Sequence, residues 1–145
     1  MCMHYFDPDA IVAEVSRLLV DDGRFLVSSL VYLPGESDIA TATENLILQY
    51  NPNWGGAGFG GHVPVEPAWA RGRLTLETFH RYVEPVAFTR ESWRGRVRAC
   101  RGVGASLDPE TVRAFDEDHD RLLMSIAGPQ FEIPHLITIH VFSPR

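Results

Sequence analysis

Residues 7–33, DPDAIVAEVSRLLVDDGRFLVSSLVYL, carry the signals of one helix, one turn and one strand, and they decide the expected fold. Asp7 suits a helix start because its carboxylate accepts backbone N–H groups, and Pro8 suits the first helical position. Gly23 is expected to stop the helix in the left-handed conformation. The predicted buried face of this helix follows helical spacing and consists of Ile11, Val15, Leu18 and Leu19.

The strand of this unit is the mostly apolar run at residues 25–32, FLVSSLVY. Such a run predicts a strand covered on both faces, as in a parallel sheet, and Pro34-Gly35 ends it. A helix and a buried strand in this order are typical of the interior of an α/β sheet, where other strands lie on both sides. Because the unit opens the chain, we expect residues 1–145 to be the back half of a larger α/β fold.

Composition limits the class of protein. The 145 residues are 45% hydrophobic and 22% charged, which fits one globular domain. The net charge of -6 argues against nonspecific nucleic-acid binding. Two cysteines make no disulfide framework, so we expect a cytoplasmic protein. The sequence shows no apolar run of membrane-spanning length and no histidine or cysteine spacing typical of a metal site, so neither a membrane nor a metal is predicted.

The rest of the chain predicts three further helices and two further strands. The expected helix caps are Ser37 or Asp38, then Thr89, then Asp108. The strands are expected within residues 74–83 and at about 135–142, where Ile137, Ile139 and Val141 alternate with polar neighbours. The predicted inward positions are Ile39, Thr43, Leu46, Ile47 and Tyr50 in the first helix, Trp93, Val97 and Cys100 in the second, and Val112, Phe115, Leu122, Leu123 and Ile126 in the third.

A loop rich in glycine and proline occupies residues 53–67, and Gly56–Gly61 within it matches the G-x-G-x-x-G pattern. Nucleotide binding by this pattern requires a strand before the glycines and a helix after them. Asn51-Pro52-Asn53-Trp54 precedes the glycines and prolines follow them, so we reject the nucleotide interpretation. A mobile lid or substrate loop is favoured, and a plain surface loop is the alternative.

Two further groups of polar residues are candidates for binding. Arg94, Arg98 and Arg101 share a helix face and could clamp a carboxylate or phosphate, although a solvated face paired with acidic residues is favoured. His4 stands directly before the first helix, which in an α/β sheet is the ligand-binding carboxyl end of the preceding strand. The alternative for His4 is a histidine that only hydrogen-bonds a loop.

The segment Cys2-Met3-His4-Tyr5-Phe6-Asp7, the helix after it, the turn at residues 18–24 and the strand resemble class I S-adenosylmethionine-dependent methyltransferases. The resemblance is to their small-molecule, UbiE- and trans-aconitate-methyltransferase-like group, and it runs over nearly the whole chain. Nothing in the printed sequence matches the glycine-rich cofactor loop of that family or the acidic residue after its second strand. Later segments that resemble one bacterial branch are residues 44–48, 51–54, 92–99 and 133–135.

The resemblance implies a partial Rossmann-like sheet with flanking helices. The family order of strands is 3-2-1-4-5-7-6, and this chain would supply strands 5, 7 and 6, with strand 7 antiparallel. Residues 36–67 would be a lid insertion within the single domain 1–145. The edge of strand 5 that normally pairs with strand 4 would be bare, so we expect self-association into a homo-oligomer through that edge.

The implied function is methyl transfer from S-adenosylmethionine to a small-molecule acceptor. Such an enzyme mainly positions the acceptor, and a base is needed only when the acceptor must lose a proton. By resemblance His4 is the candidate base or orienter. The implied cofactor-binding residues are Cys2, Met3, Tyr5 and Phe6, and the implied acceptor-binding residues are Tyr50, Trp54, Trp93 and Arg94.

Two other functions stay open. A catalytically inactive methyltransferase-like protein could act as a small-molecule-binding or oligomerisation module. A standalone α+β small-molecule binder or hydrolase-like protein fits the length of the chain but not the order of its motifs.

Overall fold

The computed structural model of the protein describes residues 5–145. These residues form four α-helices and three strands, and two short 3-10 helices lie at Pro34–Glu36 and Gly55–Gly58. The α-helices and strands, in chain order, are α1 (Pro8–Leu18), β1 (Phe25–Tyr32), α2 (Asp38–Tyr50), β2 (Leu74–Thr89), α3 (Arg90–Arg98), α4 (Pro109–Ile126) and β3 (Gln130–Pro144).

The predicted helix starts are confirmed, because each helix begins after a residue whose side chain accepts a backbone N–H from its first turn. Asp108 is typical, since one carboxylate oxygen accepts from the N–H groups of Glu110 and Thr111 at 3.0 Å each. The other three caps are Asp7, Ser37 and Thr89, which accept from Ala10, Ala40 and Ser92.

The three strands form an antiparallel sheet in the order β1-β3-β2, so the last strand of the chain is the central one. The predicted α/β class and the predicted central position of the last strand are therefore confirmed. Strand β2 runs beyond its predicted end at residue 83 and passes through Pro85. An edge strand tolerates this proline, because the outer side of an edge strand needs no N–H donor.

Two predictions for the opening unit are wrong. The first is that β1 is covered on both faces: its residues alternate in exposure, and Leu26 and Leu30 are 57% and 49% exposed. An apolar run does not reveal which of its faces another layer covers. The second concerns the end of α1: the helix stops at Leu18 and not at Gly23, which lies in a later turn without a positive φ, and Leu18, predicted on the buried face, is 63% exposed.

Gly23 has a different reason to be glycine. Its N–H donates to the carbonyl of Val20 at 2.7 Å, and a Cβ added there would lie 2.8 Å from that same carbonyl oxygen. The close turn at residues 20–23 therefore excludes a side chain at position 23, although it does not need the left-handed conformation.

The chain forms two compact units. The first unit comprises residues 5–31, 62–83 and 136–145 of the described chain, and the second comprises residues 32–61 and 84–135. In the first unit α1 packs onto the face of β1 that carries Phe25 and Val27. The buried residues of this core are Val12, Ala70, Leu74 and Phe142.

The second unit has the larger apolar core, to which α2, α3 and α4 each contribute. The predicted inward positions of α2 are confirmed as buried or half-buried, and so are Trp93, Val97, Phe115 and Leu123. Ile126, predicted to face inward, is 44% exposed near the end of α4. Cys100 packs against this core from beyond the end of α3.

The alternation in β3 differs from the predicted one. Leu136, Thr138, His140 and Phe142 are the buried positions, whereas the residues between them are half-buried. A polar member of this buried face finds a partner within the first unit: Thr138 shares a hydrogen bond of 2.6 Å with Ser29 of β1. A central strand can thus bury polar side chains when neighbouring elements supply their partners.

Candidate ligand-binding site

The N-terminal candidates lie partly outside the described residues. Cys2, Met3 and His4 are not described, so their predicted roles stay predictions. Tyr5 and Phe6 immediately precede the cap of α1 and are 60% and 52% exposed.

A cavity of about 460 Å³ opens in the second unit, between the end of α2 and the turn that follows α3. It combines one aromatic ring, two side-chain amides, a hydroxyl and a guanidinium, which is the mixture of apolar and oriented polar groups found in small-molecule sites. The lining residues are Asn51, Asn53, Trp54, Gly55, Gly56, Arg101 and Ser106.

One hydrogen bond joins the two walls of the cavity, and two others lie within the walls. Asn51 follows the last residue of α2, and its Nδ2 donates to the carbonyl of Gly102 at 3.0 Å. The N–H of Trp54 donates to the carbonyl of Asn51 at 3.0 Å, which closes the turn that carries the indole. On the opposite wall the Ser106 hydroxyl donates to the carbonyl of Arg101. The hydrogen bond of Asn51 therefore connects the end of α2 to the turn that follows α3.

The indole of Trp54 explains why positions 56 and 102 are occupied by glycine. A Cβ at Gly56 would lie 2.0 Å from Cζ2 of the indole, and a Cβ at Gly102 would lie 2.8 Å from Cδ2. Both backbones therefore contact the ring where no side chain fits. In the G-x-G-x-x-G stretch the glycines follow α2, and Gly55–Gly58 form a 3-10 helix, so this context is not that of a phosphate-binding loop.

A buried carboxylate holds the Trp54 indole in place. Glu44 of α2 is 3% exposed, and its Oε2 accepts from Nε1 of Trp54 at 2.6 Å. Its Oε1 accepts from the hydroxyl of Tyr32. Burial, together with the adjacent Glu44 carboxylate, raises the pKa of Tyr32, so this phenol stays protonated and remains a donor.

Sequence reasoning did not identify Glu44, although a signal was present. Glu44 falls at helical spacing among Ala40, Thr43 and Ile47, which are all buried on α2. An acidic residue inside an apolar stripe is a buried charge that needs partners. Those partners, Tyr32 and Trp54, lie outside the helix and do not follow from its periodicity.

Trp93, a predicted acceptor-binding residue, lies in the core of the second unit. It is fully buried and packs edge-on against Tyr32 and Phe88, with ring centroids 5.0 Å apart in each pair. Its Nε1 donates to Oγ1 of Thr43 at 3.1 Å. Trp93 therefore supports the helix that carries Glu44, and it is not among the residues that line the cavity.

Thr43 links Trp93 to a buried histidine. Its hydroxyl donates to the carbonyl of Ile39 at 2.8 Å, so its oxygen accepts from Nε2 of His119 at 3.2 Å. His119 Nδ1 is left as a buried lone pair without a partner among residues 5–145. Burial lowers the pKa of His119 to about 4, because the cation would be poorly solvated.

Arg94 joins α3 to α4 by ion pairs. Its guanidinium donates to Asp116 at 2.7 Å and to Asp120 at 2.9 Å, and Arg98 shares the Asp116 carboxylate at 2.9 Å. These pairs correspond to the favoured interpretation of the arginine face, a face paired with acidic residues. Arg101, predicted on the same helix face, lies beyond the end of α3 and lines the cavity.

Tyr50 also joins two helices, α2 and α4. Its hydroxyl donates to Oδ2 of Asp118 at 2.6 Å, and its ring packs edge-on against Phe115. Of the four predicted acceptor-binding residues, Trp54 therefore lines the cavity, whereas Tyr50, Trp93 and Arg94 join the surrounding helices.

No group of three or more histidine, cysteine or acidic side chains in residues 5–145 is arranged to hold a metal ion. None of the helices described for the chain combines the length and apolar character needed to cross a membrane. No protein-family model matches the chain, and no curated protein matches it with significant similarity.

Proposed function

We propose that this chain supplies the acceptor side of a class I S-adenosylmethionine-dependent methyltransferase acting on a small molecule. The observation that carries the proposal is the order β1-β3-β2, with the last strand central and antiparallel. The resemblance expects the same order for strands 5, 7 and 6 of that family. The order of motifs along the sequence supports the same assignment.

In this proposal the cavity beside Trp54 receives the acceptor. The cofactor supplies the methyl group, and the residues of this chain bind the acceptor, orient it and exclude water. Trp54 contacts the acceptor directly. Tyr50, Trp93 and Arg94 hold α2, α3 and α4 in register around it. His4 remains the proposed base or orienter, and Cys2, Met3, Tyr5 and Phe6 the proposed neighbours of the cofactor.

The described residues do not fit a complete cofactor site. The glycines at residues 55–61 follow a helix, and Gly56 contacts the Trp54 indole, so this stretch is not a cofactor-binding loop. The proposal therefore does not place a complete cofactor site on the described residues.

Calorimetry with S-adenosylmethionine and S-adenosylhomocysteine tests whether this chain lacks a complete cofactor site. We expect no binding at micromolar affinity by residues 1–145 alone, and such affinity would show that the cofactor site is built differently. The reading frame upstream of Met1 provides the matching test. It should encode a strand, a glycine-rich loop and an acidic residue, and a frame without them would contradict the methyltransferase proposal.

One observation favours a second candidate function, an oligomerisation module without methyl-transfer activity. β1 is an edge strand of the sheet, and its Leu26 and Leu30 side chains are about half exposed or more. Exposed apolar edges invite pairing with another chain. Sedimentation of the wild type and of the Leu26→Asp, Leu30→Asp double variant tests this function. A monomeric wild type at about 100 μM would exclude a stable homo-oligomer.

A further inference from the structure

The register of β1 against β3 is fixed by contacts at two points along the strands. The N–H of Leu33 donates to the carbonyl of Pro134 at 2.9 Å, so these residues form a hydrogen-bonded antiparallel pair. Four positions earlier on β1, the Ser29 hydroxyl meets the hydroxyl of Thr138, which lies four positions later on β3. The same register therefore holds at both points.

This register shows which backbone groups of β1 face its open edge. In an antiparallel ladder every second residue of a strand bonds to a given neighbour, and Ser29 and Leu33 are the residues of β1 that face β3. Leu26, Ser28 and Leu30 therefore direct their N–H and C=O groups away from β3. Among residues 5–145 no strand lies on that side of β1, so the edge can accept another strand.

The two edge strands of the sheet differ in their protection against such pairing. β2 carries charged residues and a proline, which hinder the addition of a strand at an edge: Glu77, Arg81, Glu84 and Pro85. β1, from Phe25 to Tyr32, contains neither a charged side chain nor a proline. A partner edge that leaves no charge unpaired beside β1 is itself uncharged. In a chain of net charge -6, the β1 edge of a second copy meets this requirement.

We propose that two copies of this chain pair through β1, antiparallel and about a two-fold axis at Ser28. In this register Leu26 of each copy lies opposite Leu30 of the other, and the two Ser28 residues lie opposite each other. Opposed leucines and opposed hydroxyls stabilise such a pair, whereas a shift by two residues would place Ser28 opposite a leucine. The inference rests on the second candidate function, oligomerisation, to which it adds the edge, the direction and the register.

The short length of β1 predicts a weak dimer. The strand has eight residues, and two such strands bury less than the roughly 1,200 Å² of a stable protein interface. The apolar contribution comes from Leu26 and Leu30, which are 57% and 49% exposed in the single chain. We therefore expect a dissociation constant on the order of 50 μM, so the chain is mostly monomeric at about 5 μM and mostly dimeric at about 200 μM.

Cysteine cross-linking at about 200 μM tests the register. In a background with Cys2→Ser and Cys100→Ala, Ser28→Cys should give a disulfide-linked dimer, because opposed Cα atoms of a hydrogen-bonded pair lie about 5.5 Å apart. Leu26→Cys alone should give none, since the two copies of position 26 lie about 14 Å apart. A mixture of the Leu26→Cys and Leu30→Cys chains should cross-link.

Two further variants control this experiment. Thr78→Cys places a thiol at an exposed position of β2, the protected edge, and its yield of cross-linked dimer should be at least about five-fold lower than that of Ser28→Cys. Ser28→Pro removes the outward N–H of β1, a change that an edge strand tolerates. In sedimentation this variant should remain folded and should dimerise at least about ten-fold more weakly than the wild type.

The outcomes separate this proposal from the two candidate functions. A yield for Ser28→Cys no higher than that for Thr78→Cys would overturn the β1 pairing, and cross-linking of Ser28→Cys to Leu30→Cys in place of itself would overturn the register. Self-association of the wild type without these cross-links would leave oligomerisation standing through another surface. A monomeric wild type at about 100 μM would end both. No cofactor enters these measurements, so the methyltransferase proposal is decided separately.

Discussion

Both units of the chain bury polar side chains, which are Thr138 and His140 in the first unit, but among the described residues only the second unit buries a carboxylate, that of Glu44. The first unit has a small apolar core around Val12, Leu74 and Phe142, while leucines of β1 remain exposed. The second unit buries Thr43, Glu44, His119 and His135 within a larger apolar core and carries the described cavity. Buried polar groups specify their partners far more strictly than apolar contacts do. Ligand chemistry is therefore expected in the second unit, and tolerance to substitution on the exposed face of β1 in the first.

The largest expected effect is the acid sensitivity of the second unit. Because burial depresses the pKa of His119 from 6.5 to about 4, the unfolded chain takes up a proton before the folded chain does. The contribution of neutral His119 to the free energy of unfolding is fully present above pH 6.5. This contribution, about 3 kcal/mol, is lost as the pH falls from 6.5 through 4. Urea unfolding measured at half-unit pH steps gives this slope.

Substitution of His119 tests whether this residue causes the pH dependence of the unfolding free energy. His119→Gln should remove most of the pH dependence, whereas His80→Gln, at an exposed position of the first unit, should retain it. Burial also lowers the pKa of His135, so a smaller slope of the same sign should remain in His119→Gln. An unchanged slope in His119→Gln would locate the acid sensitivity elsewhere.

The next effect concerns the buried carboxylate. Glu44→Ala leaves Nε1 of Trp54 and the hydroxyl of Tyr32 without their acceptor, which should cost roughly 2 kcal/mol of unfolding free energy. Glu117→Ala removes the same charge from the exposed side of α4 and should cost less than about 0.5 kcal/mol. Chemical denaturation measures both, and equal costs would mean that the Glu44 hydrogen bonds do not stabilise the second unit.

A smaller effect on the unfolding free energy is expected to distinguish substitutions at Gly56 and Gly58. A methyl group at Gly56 would overlap the Trp54 indole, whereas one at Gly58 would meet no heavy atom within 4 Å. Gly56→Ala should therefore lower the unfolding free energy by about 1–2 kcal/mol, and Gly58→Ala should leave it unchanged or raise it slightly. Thermal unfolding with tryptophan fluorescence measures both variants. Similar behaviour of the two would show that the loop does not pack on the indole.

The smallest effect is expected in the first unit. Leu26→Ala removes an exposed side chain from β1 and should change the unfolding free energy by less than about 0.5 kcal/mol. Leu74→Ala removes a buried side chain from β2 in the same unit and should cost about 2–5 kcal/mol. A large cost for Leu26→Ala would mean that this side chain is covered in solution and is not exposed.

Local signals in the sequence were sufficient to predict where the four helices begin. Asp7, Ser37, Thr89 and Asp108 each bind an N–H within three residues, so the nearby sequence contains all the information needed. Strand limits were harder to predict. Pro85 looks like a strand end unless β2 is known to be an edge strand, and only the sheet shows that.

The sequence by itself determined the helix caps, the inward face of α2 and the rejection of a phosphate loop at Gly56–Gly61. Tertiary structure decided the cavity, because its walls come from residues about 50 positions apart, such as Asn51 and Gly102. It also decided the role of Glu44, whose partners Tyr32 and Trp54 lie on either side of it in the chain. Periodicity reports which face of a helix is buried, but it does not report what that face meets.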